Sequence, residues 1–144
     1  MYDFIRGRLS QRGPDEVVLD VGGLGYELAV SGATAGRLPA AGSEVTLFVH
    51  DRLKDERLVL YGFASREERQ LFLKLLTVSR IGPGIALSLL SALEPGPLVA
   101  AVDGGDVATL SRVRGVGRRT AERLCVELKG RLDGLPALPG RLTD

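Results

Sequence analysis

Residues 110–125 have the sequence LSRVRGVGRRTAERLC, and residues 75–90 have the sequence LLTVSRIGPGIALSLL. The two stretches align without gaps at an offset of 35, so that Ile81-Gly82 matches Val116-Gly117. In each copy an apolar helical pattern leads into a glycine-bearing turn and resumes after it. The repeat therefore predicts two helix-hairpin-helix units in the second half of the chain.

The turn of the second unit, Arg114 to Thr120, has the residue types of a phosphate cradle. Gly115 and Gly117 permit a tight backbone, and the helix that follows presents free N–H groups to an anion. Positive charge and a hydroxyl group surround the turn, from Arg118, Arg119, Arg123 and Thr120. Such groups contact nucleic-acid backbone without reading bases, so we expect binding to depend steeply on salt.

A plainer interpretation treats the glycines as a helix connector and the arginines as a solvated face, but the second copy favours the phosphate cradle. The first hairpin differs from the second at two positions. Arg80 stands where the second has Gly115, and Gly84 stands where the second has Arg119. We therefore expect the first hairpin, with Gly82 and Gly84, to hold phosphate less well.

The first 64 residues have the period-two pattern of β structure, with turn-rich pieces between short apolar runs. The five predicted strands are Phe4–Leu9, Val17–Val21, Tyr26–Val30, Val45–His50 and Leu58–Phe63. A five-stranded, partly open barrel closes such a sheet without long unpaired edges. Because helical periodicity follows, the predicted fold class is α+β, with a barrel domain and an all-α domain.

The period changes at Ser65, where Ser65-Arg66-Glu67-Glu68 forms a capping box for a helix. We therefore predict a barrel domain at residues 1–64 and a tandem helix-hairpin-helix domain at residues 65–132. After Leu132 the composition turns to glycine and proline, which is typical of a linker at residues 133–144.

Composition restricts the function classes. The chain has 144 residues, 44% of them apolar and 26% charged, as in an ordinary globular protein. It has no apolar run of about 20 residues and no signal-peptide pattern, so we expect a cytoplasmic protein without membrane contact. One cysteine and one histidine, Cys125 and His50, provide neither an internal disulfide nor the usual ligands of a metal site. We expect both to be structural residues and predict no cofactor.

Positive charge is concentrated in one segment. Residues 1–64 hold seven Lys and Arg against nine Asp and Glu, whereas residues 65–144 hold twelve against nine. Residues 110–131 alone have seven basic and two acidic side chains. Screening confines each charge to about 8–10 Å, so this segment can attract an anionic partner although the net charge is only +1.

Two other motifs have ordinary structural interpretations. Gly22-Gly23-Leu24-Gly25 resembles a phosphate loop, but no Gly-Lys-Ser/Thr follows it, so a strand turn is favoured over an ATPase site. Asp55-Glu56 lies in a charged turn between the last two predicted strands, and the pattern alone favours a solvated hairpin tip over a metal site. No catalytic triad is visible, and we predict no catalytic residue.

The blocks that support these predictions also resemble the RuvA family of Holliday-junction-binding proteins. They are Ile5-Arg6-Gly7-Arg8-Leu9, Val21 to Glu27, Leu60-Tyr61-Gly62-Phe63, Gly82-Pro83 with Ala86-Leu87, and Gly115-Val116-Gly117 with Thr120 to Leu124. They occur in order at compatible spacing over nearly all of residues 1–132, which is more specific than any single glycine motif.

The resemblance implies an oligonucleotide-binding (OB) type barrel followed by two helix-hairpin-helix motifs. It also implies a homotetramer or octamer that holds a four-way junction open and square for branch migration by the hexameric RuvB ATPase, with RuvC resolvase as a further partner. The hairpins with Arg80, Arg118, Arg119 and Arg123 would grip phosphates. Asp55 and Glu56 would form the family's acidic pin, with Lys54 as a basic position beside it, in place of a plain solvated tip.

The chain departs from the family pattern at Arg80 and Gly84. It also ends at Asp144, before the family's C-terminal domain that contacts RuvB, so we expect junction binding without recruitment of the motor. Two alternatives stay open. One is a general helix-hairpin-helix DNA-binding module, and the other is a DNA-repair nuclease or glycosylase that uses these units for grip.

Overall fold

A computed structural model describes residues 1–132. Its contacts divide the chain into two compact units, residues 1–69 and, within the described residues, residues 70–132. The first unit contains the strands β1 (Phe4–Arg12), β2 (Glu16–Val21), β3 (Leu24–Val30), β4 (Glu44–Lys54) and β5 (Arg57–Phe63), and the short helix α1 (Gly32–Arg37). The helices that follow are α2 (Arg66–Leu76), α3 (Pro83–Ala92), α4 (Pro95–Asp103), α5 (Val107–Ser111) and α6 (Arg118–Leu128).

The five strands close into a barrel in the order β1-β2-β3-β5-β4. All neighbours are antiparallel except β3 and β5, which pair in parallel through Leu28–Leu60, Ala29–Tyr61 and Val30–Gly62. Strand β1 pairs with both β2 and β4, so it closes the barrel. Inward-facing residues alternate with outward-facing ones, as the period-two pattern predicts. The five-stranded barrel expected from the sequence is confirmed, and its core contains Ile5, Leu9, Val17, Leu19, Leu28, Val30, Val45, Leu47, Val49 and Leu60.

Gly7 in β1 lies against the last residues of β2, Asp20 and Val21. A Cβ at this position would lie 2.7 Å from the carbonyl oxygen of Asp20 and 2.8 Å from Cγ2 of Val21. A backbone oxygen cannot move aside as a flexible side chain can. The packing of the barrel therefore requires glycine at position 7, within the Ile5–Leu9 block.

Helix α1 was not predicted from the sequence. It has only six residues, two of them glycine, which is too short for a helical period to show. Its start is defined by Ser31, whose buried Oγ accepts a hydrogen bond of 3.1 Å from the backbone N–H of Thr34.

Helix α2 begins with the capping contact that the sequence predicts. The backbone N–H of Glu68 donates to Ser65 Oγ at 3.0 Å. The buried Glu68 carboxylate accepts from the Thr34 hydroxyl at 2.7 Å and from the Ala64 N–H at 3.3 Å. Because Glu68 and both partners lie in the first unit, this carboxylate holds the first turn of α2 within that unit.

Asp3 reinforces the same attachment. Its carboxylate accepts from Arg66 at 2.6 Å and from Arg69 at 3.0 Å. These hydrogen bonds, with Arg66 contributing most, lower the pKa of Asp3 below its ordinary value.

The helical unit repeats its backbone hydrogen bonds at the predicted offset. Val78 N–H donates to Leu75 at 3.1 Å, and Val113 N–H donates to Leu110 at 3.1 Å. The hydrogen bonds Ile81 to Val78 and Ala86 to Gly82 have the counterparts Val116 to Val113 and Ala121 to Gly117, all between 2.9 and 3.1 Å. Ile81 and Val116 are both buried and anchor the two turns. The two hairpins therefore share one backbone design.

Helix α4 connects the two hairpins, which are α2 with α3 and α5 with α6. Prolines usually interrupt a helix, and α4 contains Pro95 and Pro97. Pro95 instead opens α4, because a proline in the first helical turn has no N–H to leave unpaired. Asp106 caps α5 by accepting from Thr109 N–H at 3.1 Å.

Of the helices in residues 1–132, none alone has the length and hydropathy of a membrane span. Helices α3 and α4 reach that length and hydropathy only as a pair, and the pair is bent by 106°. The predicted boundary after Ala64 stays a prediction, and the predicted linker lies outside the described residues.

Candidate nucleic-acid interface

The helices α3 and α6 both begin with an uncapped glycine. Gly82 has φ −94° and ψ −179°, Gly117 has φ −83° and ψ 177°, and neither carries a side-chain cap. The first intrahelical bonds come from Ala86 and Ala121. The amides before them have no place in the helical ladder, so each helix start offers donors to an anion.

The two starts are unequal in donors. At α6, residues 118, 119 and 120 all carry N–H groups ahead of the first intrahelical bond. At α3, Pro83 removes one of the three, which leaves the amides of Gly84 and Ile85. The second hairpin therefore offers one more backbone donor than the first. The expectation that the first hairpin holds phosphate less well, which rested on Arg80 and Gly84, stays a prediction.

The turns before these helices use a left-handed residue. Gly115 has φ 87°, and Arg80, at the equivalent position 35 residues earlier, has φ 70°. The turn of the first hairpin therefore keeps the left-handed conformation although its residue is arginine. A Cβ is strained in this conformation. Gly82, Gly84 and Gly117 are different, since their φ values are not positive and a Cβ at each would meet nothing within 4 Å.

Basic side chains on α6 extend into solvent. Arg118 Nε lies 3.7 Å from Glu122 Oε1, and Arg123 Nη1 lies 3.7 Å from Glu127 Oε2. Exposed pairs at this spacing stabilise a helix by only about 0.3–0.5 kcal/mol, so these ion pairs do not prevent the arginines from binding another anion. Arg119 forms no ion pair within residues 1–132. The charge on this face is available to a partner.

A small cleft in the helical unit brings residues of both hairpins together. It has a volume of about 170 Å³ and is lined by Ser79, Arg80, Arg119, Thr120 and Arg123. Four of these five were predicted as DNA-binding residues from the sequence. Ser79 was not, because a serine in a helix-connecting turn has no distinguishing signal.

The predicted acidic pin lies in the first unit, at the turn between β4 and β5. Asp55 has φ 51° and Glu56 has φ 63°, and the flanking residues Lys54 and Arg57 pair across the hairpin. Two successive residues with positive φ in a two-residue loop are typical of a type I′ turn, which favours Asn-Gly. Residues 52–58 are all exposed, including Leu53 and Leu58 at 72% and 53%. The hairpin tip therefore presents two carboxylates to solvent.

The single histidine and cysteine lie in packed surroundings. Burial lowers the pKa of His50, whose ring is 6.4 Å from that of Tyr61 between centroids. Burial raises the pKa of the Cys125 thiol on α6, and Asp106 and Glu122 raise it further. A thiol with a raised pKa is a poor nucleophile, which agrees with its expected role as a small core residue.

A closed five-stranded barrel followed by a duplicated hairpin with open helix starts and exposed arginines defines a modular nucleic-acid-binding protein. Comparison with known families agrees for each part. Residues 1–62 match the model described as "RuvA N terminal domain", and residues 72–130 match "SAM-like Helix-hairpin-helix tandem".

Three relatives give the family. Each is named "Holliday junction branch migration complex subunit RuvA". The protein of Alkalilimnicola ehrlichii is 49% identical over 141 residues, 97% of this chain and 68% of the relative. That of Pseudomonas savastanoi pv. phaseolicola is 45% identical, over 99% and 71%, and that of Acidobacterium capsulatum 44%, over 95% and 69%. The chain belongs to the RuvA family.

Proposed function

We propose that this chain binds four-way DNA junctions through their phosphate backbones, independently of base sequence, and serves as the scaffold of a branch-migration complex. The observation that carries the proposal is the duplicated hairpin with two open helix starts, of which the α6 start lies in the most basic segment of the chain. Membership of the RuvA family supports the junction as the particular DNA form.

Phosphate contacts are the proposed basis of affinity. The residues are those predicted from the sequence: Arg80, Gly82, Gly84, Gly115, Gly117, Arg118, Arg119, Thr120 and Arg123. Amides at the two helix starts orient a phosphate, and guanidinium groups supply charge around it. Because every arm of a junction has the same backbone, such contacts select shape and leave sequence unread.

The acidic tip has a different proposed role. Asp55 and Glu56 would lie near the crossover, where their carboxylates repel phosphates and guide strands as they separate. Lys54 would provide a basic contact at the edge of this pin. We assign the barrel, residues 1–64, to assembly and the pin, and residues 65–132 to duplex arms.

The proposed partners follow from the relatives' printed name and from the resemblance. We propose assembly as a homotetramer or octamer on the junction, in the bacterial cytoplasm, with the RuvB ATPase as the motor and RuvC resolvase as a further partner. The chain itself would be a non-catalytic subunit, since the proposed contacts hold DNA and perform no bond chemistry.

A competition gel shift tests the proposal. A labelled four-way junction is challenged with unlabelled linear duplex of matched sequence, at several salt concentrations and without an ATPase. We expect the junction to be strongly preferred and the affinity to fall steeply with salt. Equal competition by the duplex would instead indicate a general DNA-binding module, and cleavage or base release in a parallel incubation with magnesium would indicate an enzyme.

A further inference from the structure

Two places in the helical unit bring the turn of one hairpin beside the first helical turn of the other. At one, a Cβ on Gly115 would lie 3.6 Å from Cγ1 of Ile85. At the other, Arg80 and Thr120 line the same cleft. The 35-residue offset makes Arg80 equivalent to Gly115 and Thr120 equivalent to Ile85. The two places are therefore related by the internal repeat, and one is apolar whereas the other is polar.

The polar place concentrates positive charge, although Arg119 and Arg123 also line a neighbouring pocket with Glu122 and Glu127. Its described lining has three guanidinium groups and two hydroxyl groups, and no carboxylate. Arg123 shares part of its charge with Glu127, at 3.7 Å and exposed. Arg80 and Arg119 have no ion-pair partner in residues 1–132. Like charges that converge in this way repel one another until an anion binds between them.

The charge at the cleft arises because arginine and glycine occupy exchanged positions in the two hairpins. The second hairpin has glycine in the turn and arginine on the helix, whereas the first has Arg80 in the turn and Gly84 on the helix. Arg80 keeps φ 70° although glycine would adopt it without strain. The cation of the first hairpin therefore lies at the cleft that it shares with the second hairpin.

We propose that this cleft is a single oxyanion site, built jointly by the two hairpins, that takes one phosphate group of a DNA backbone. The volume of about 170 Å³ is below the roughly 300–1,000 Å³ of small-molecule pockets, so it suits a phosphate group better than a whole nucleotide. Hydroxyl groups of Ser79 and Thr120 add donors to the three guanidinium groups. The site rests on the proposed DNA-binding function. At this site Arg80 strengthens phosphate binding, although it departs from the glycine of the other hairpin.

A double-mutant cycle tests whether one phosphate is shared. Arg80→Gly suits the turn conformation, so the fold is not at risk, and Arg119→Gln removes the facing cation. We expect each change to weaken binding of a matched duplex and of a junction about tenfold. Because both residues hold the same phosphate, the double variant should lose much less than the hundredfold product. The salt slope should fall by about 0.9 per bound subunit, the value of one phosphate, and not by about 1.8.

The control is Arg119→Gln combined with Arg131→Gln, because Arg131 carries the same charge and does not line the cleft. Those two effects should multiply. Multiplicative losses for Arg80 and Arg119, or no loss for Arg80→Gly, would overturn the shared site while junction preference stands. A chain that shows no junction preference but keeps the non-additive cycle on duplex would lose the proposed function and retain the site. Failure to bind either DNA would remove both.

The source of the phosphate is tested separately. Amide resonances of Ser79 and Thr120 are followed by NMR during titration with inorganic phosphate and, in another sample, with a short duplex. We expect the duplex to shift both resonances at concentrations where inorganic phosphate does not. A saturating shift with inorganic phosphate alone would reassign the cleft to the free ion. No shift with either would contradict the proposal.

Discussion

Gly115 and Gly117 lie two residues apart, and the structure gives only one of them a conformational need for glycine. Gly115 has φ 87° and faces Ile85, so Gly115→Ala should lower the free energy of unfolding by about 1–2 kcal/mol. Gly117 has φ −83° and open space around its Cβ position, so Gly117→Ala should change it by less than about 1 kcal/mol. Urea denaturation of both variants measures the difference, and equal losses would contradict it.

The same pair separates folding from binding. A methyl group at position 117 occupies the open space beside the α6 amides, where a phosphate would approach. Gly117→Ala should therefore weaken junction binding although the protein stays folded. Gly36→Ala is the matched control, since Gly36 is also exposed with nothing within 4 Å of its Cβ position but belongs to α1. Unchanged junction affinity for Gly117→Ala would count against the role of the helix start.

Arg80 can be tested for stored strain independently of its charge. Arg80→Gly and Arg80→Ala both remove the guanidinium group, but only glycine relieves the left-handed conformation at φ 70°. We expect the glycine variant to be more stable than the alanine variant by about 1 kcal/mol. Thermal unfolding measures this difference, and two equal melting temperatures would mean that the turn relaxes around a side chain.

At the scale of elements, the β4–β5 hairpin combines a turn that favours Asn-Gly with two acidic residues. Asp55→Asn with Glu56→Gly should stabilise the barrel by about 1 kcal/mol, because glycine removes the strain at position 56. If the tip is a pin, loss of its charge should also tighten junction binding at the centre and alter the migration rate. Asp55→Asn with Glu56→Gln removes the same charge without relieving the turn, so it should show the binding effect only.

Strand β4 also carries the pH-dependent residue that is simplest to follow. His50 has its pKa lowered by burial, so between that value and the ordinary value of 6.5 the unfolded chain binds more protons than the folded chain. Its contribution to stability is therefore complete above about pH 6.5 and declines as the pH falls through this window. Urea denaturation from pH 5 to 8 should show a shallower dependence for His50→Gln. An imidazole titration by NMR with a midpoint at or above 6.5 would contradict the expectation.

The elements also show what sequence patterns can reveal. Long strands and the amphipathic helices α2 and α6 have periods that one sequence displays, and the five-stranded barrel followed from them. The six-residue α1 is too short to show a period, and α4 begins with the prolines that usually mark an interruption. Their existence depends on local caps, from Ser31 and from the missing N–H of Pro95, which only coordinates establish.

For the whole molecule, the location of charge matters more than its total. Arg118→Gln with Arg119→Gln and Arg8→Gln with Arg37→Gln change the net charge equally, from +1 to −1. Because screening limits each charge to about 8–10 Å, only the first pair should greatly reduce junction affinity and salt dependence. A gel shift at two salt concentrations compares them, and similar losses would mean that total charge governs binding.

The candidate site was only partly predictable at this scale. The offset of 35 identified both hairpins, and it placed Arg80 opposite a glycine. It did not reveal that the turn would keep its left-handed residue, or that Ser79 and Arg80 would line one cleft with Arg119. Those facts depend on how two helical hairpins pack together, and the spacing of residues along a chain does not specify that packing.

The exchange of arginine and glycine between the two hairpins also gives the helical unit a polarity. The two strands of a DNA arm run in opposite directions, and a protein with two identical hairpins would make the same contacts to both strands. On this chain the halves differ, because one turn carries a cation and the other a bare backbone. If this unit binds an arm as proposed, the two strands would meet different chemistry without any base being read, because Arg80 is present in one turn only.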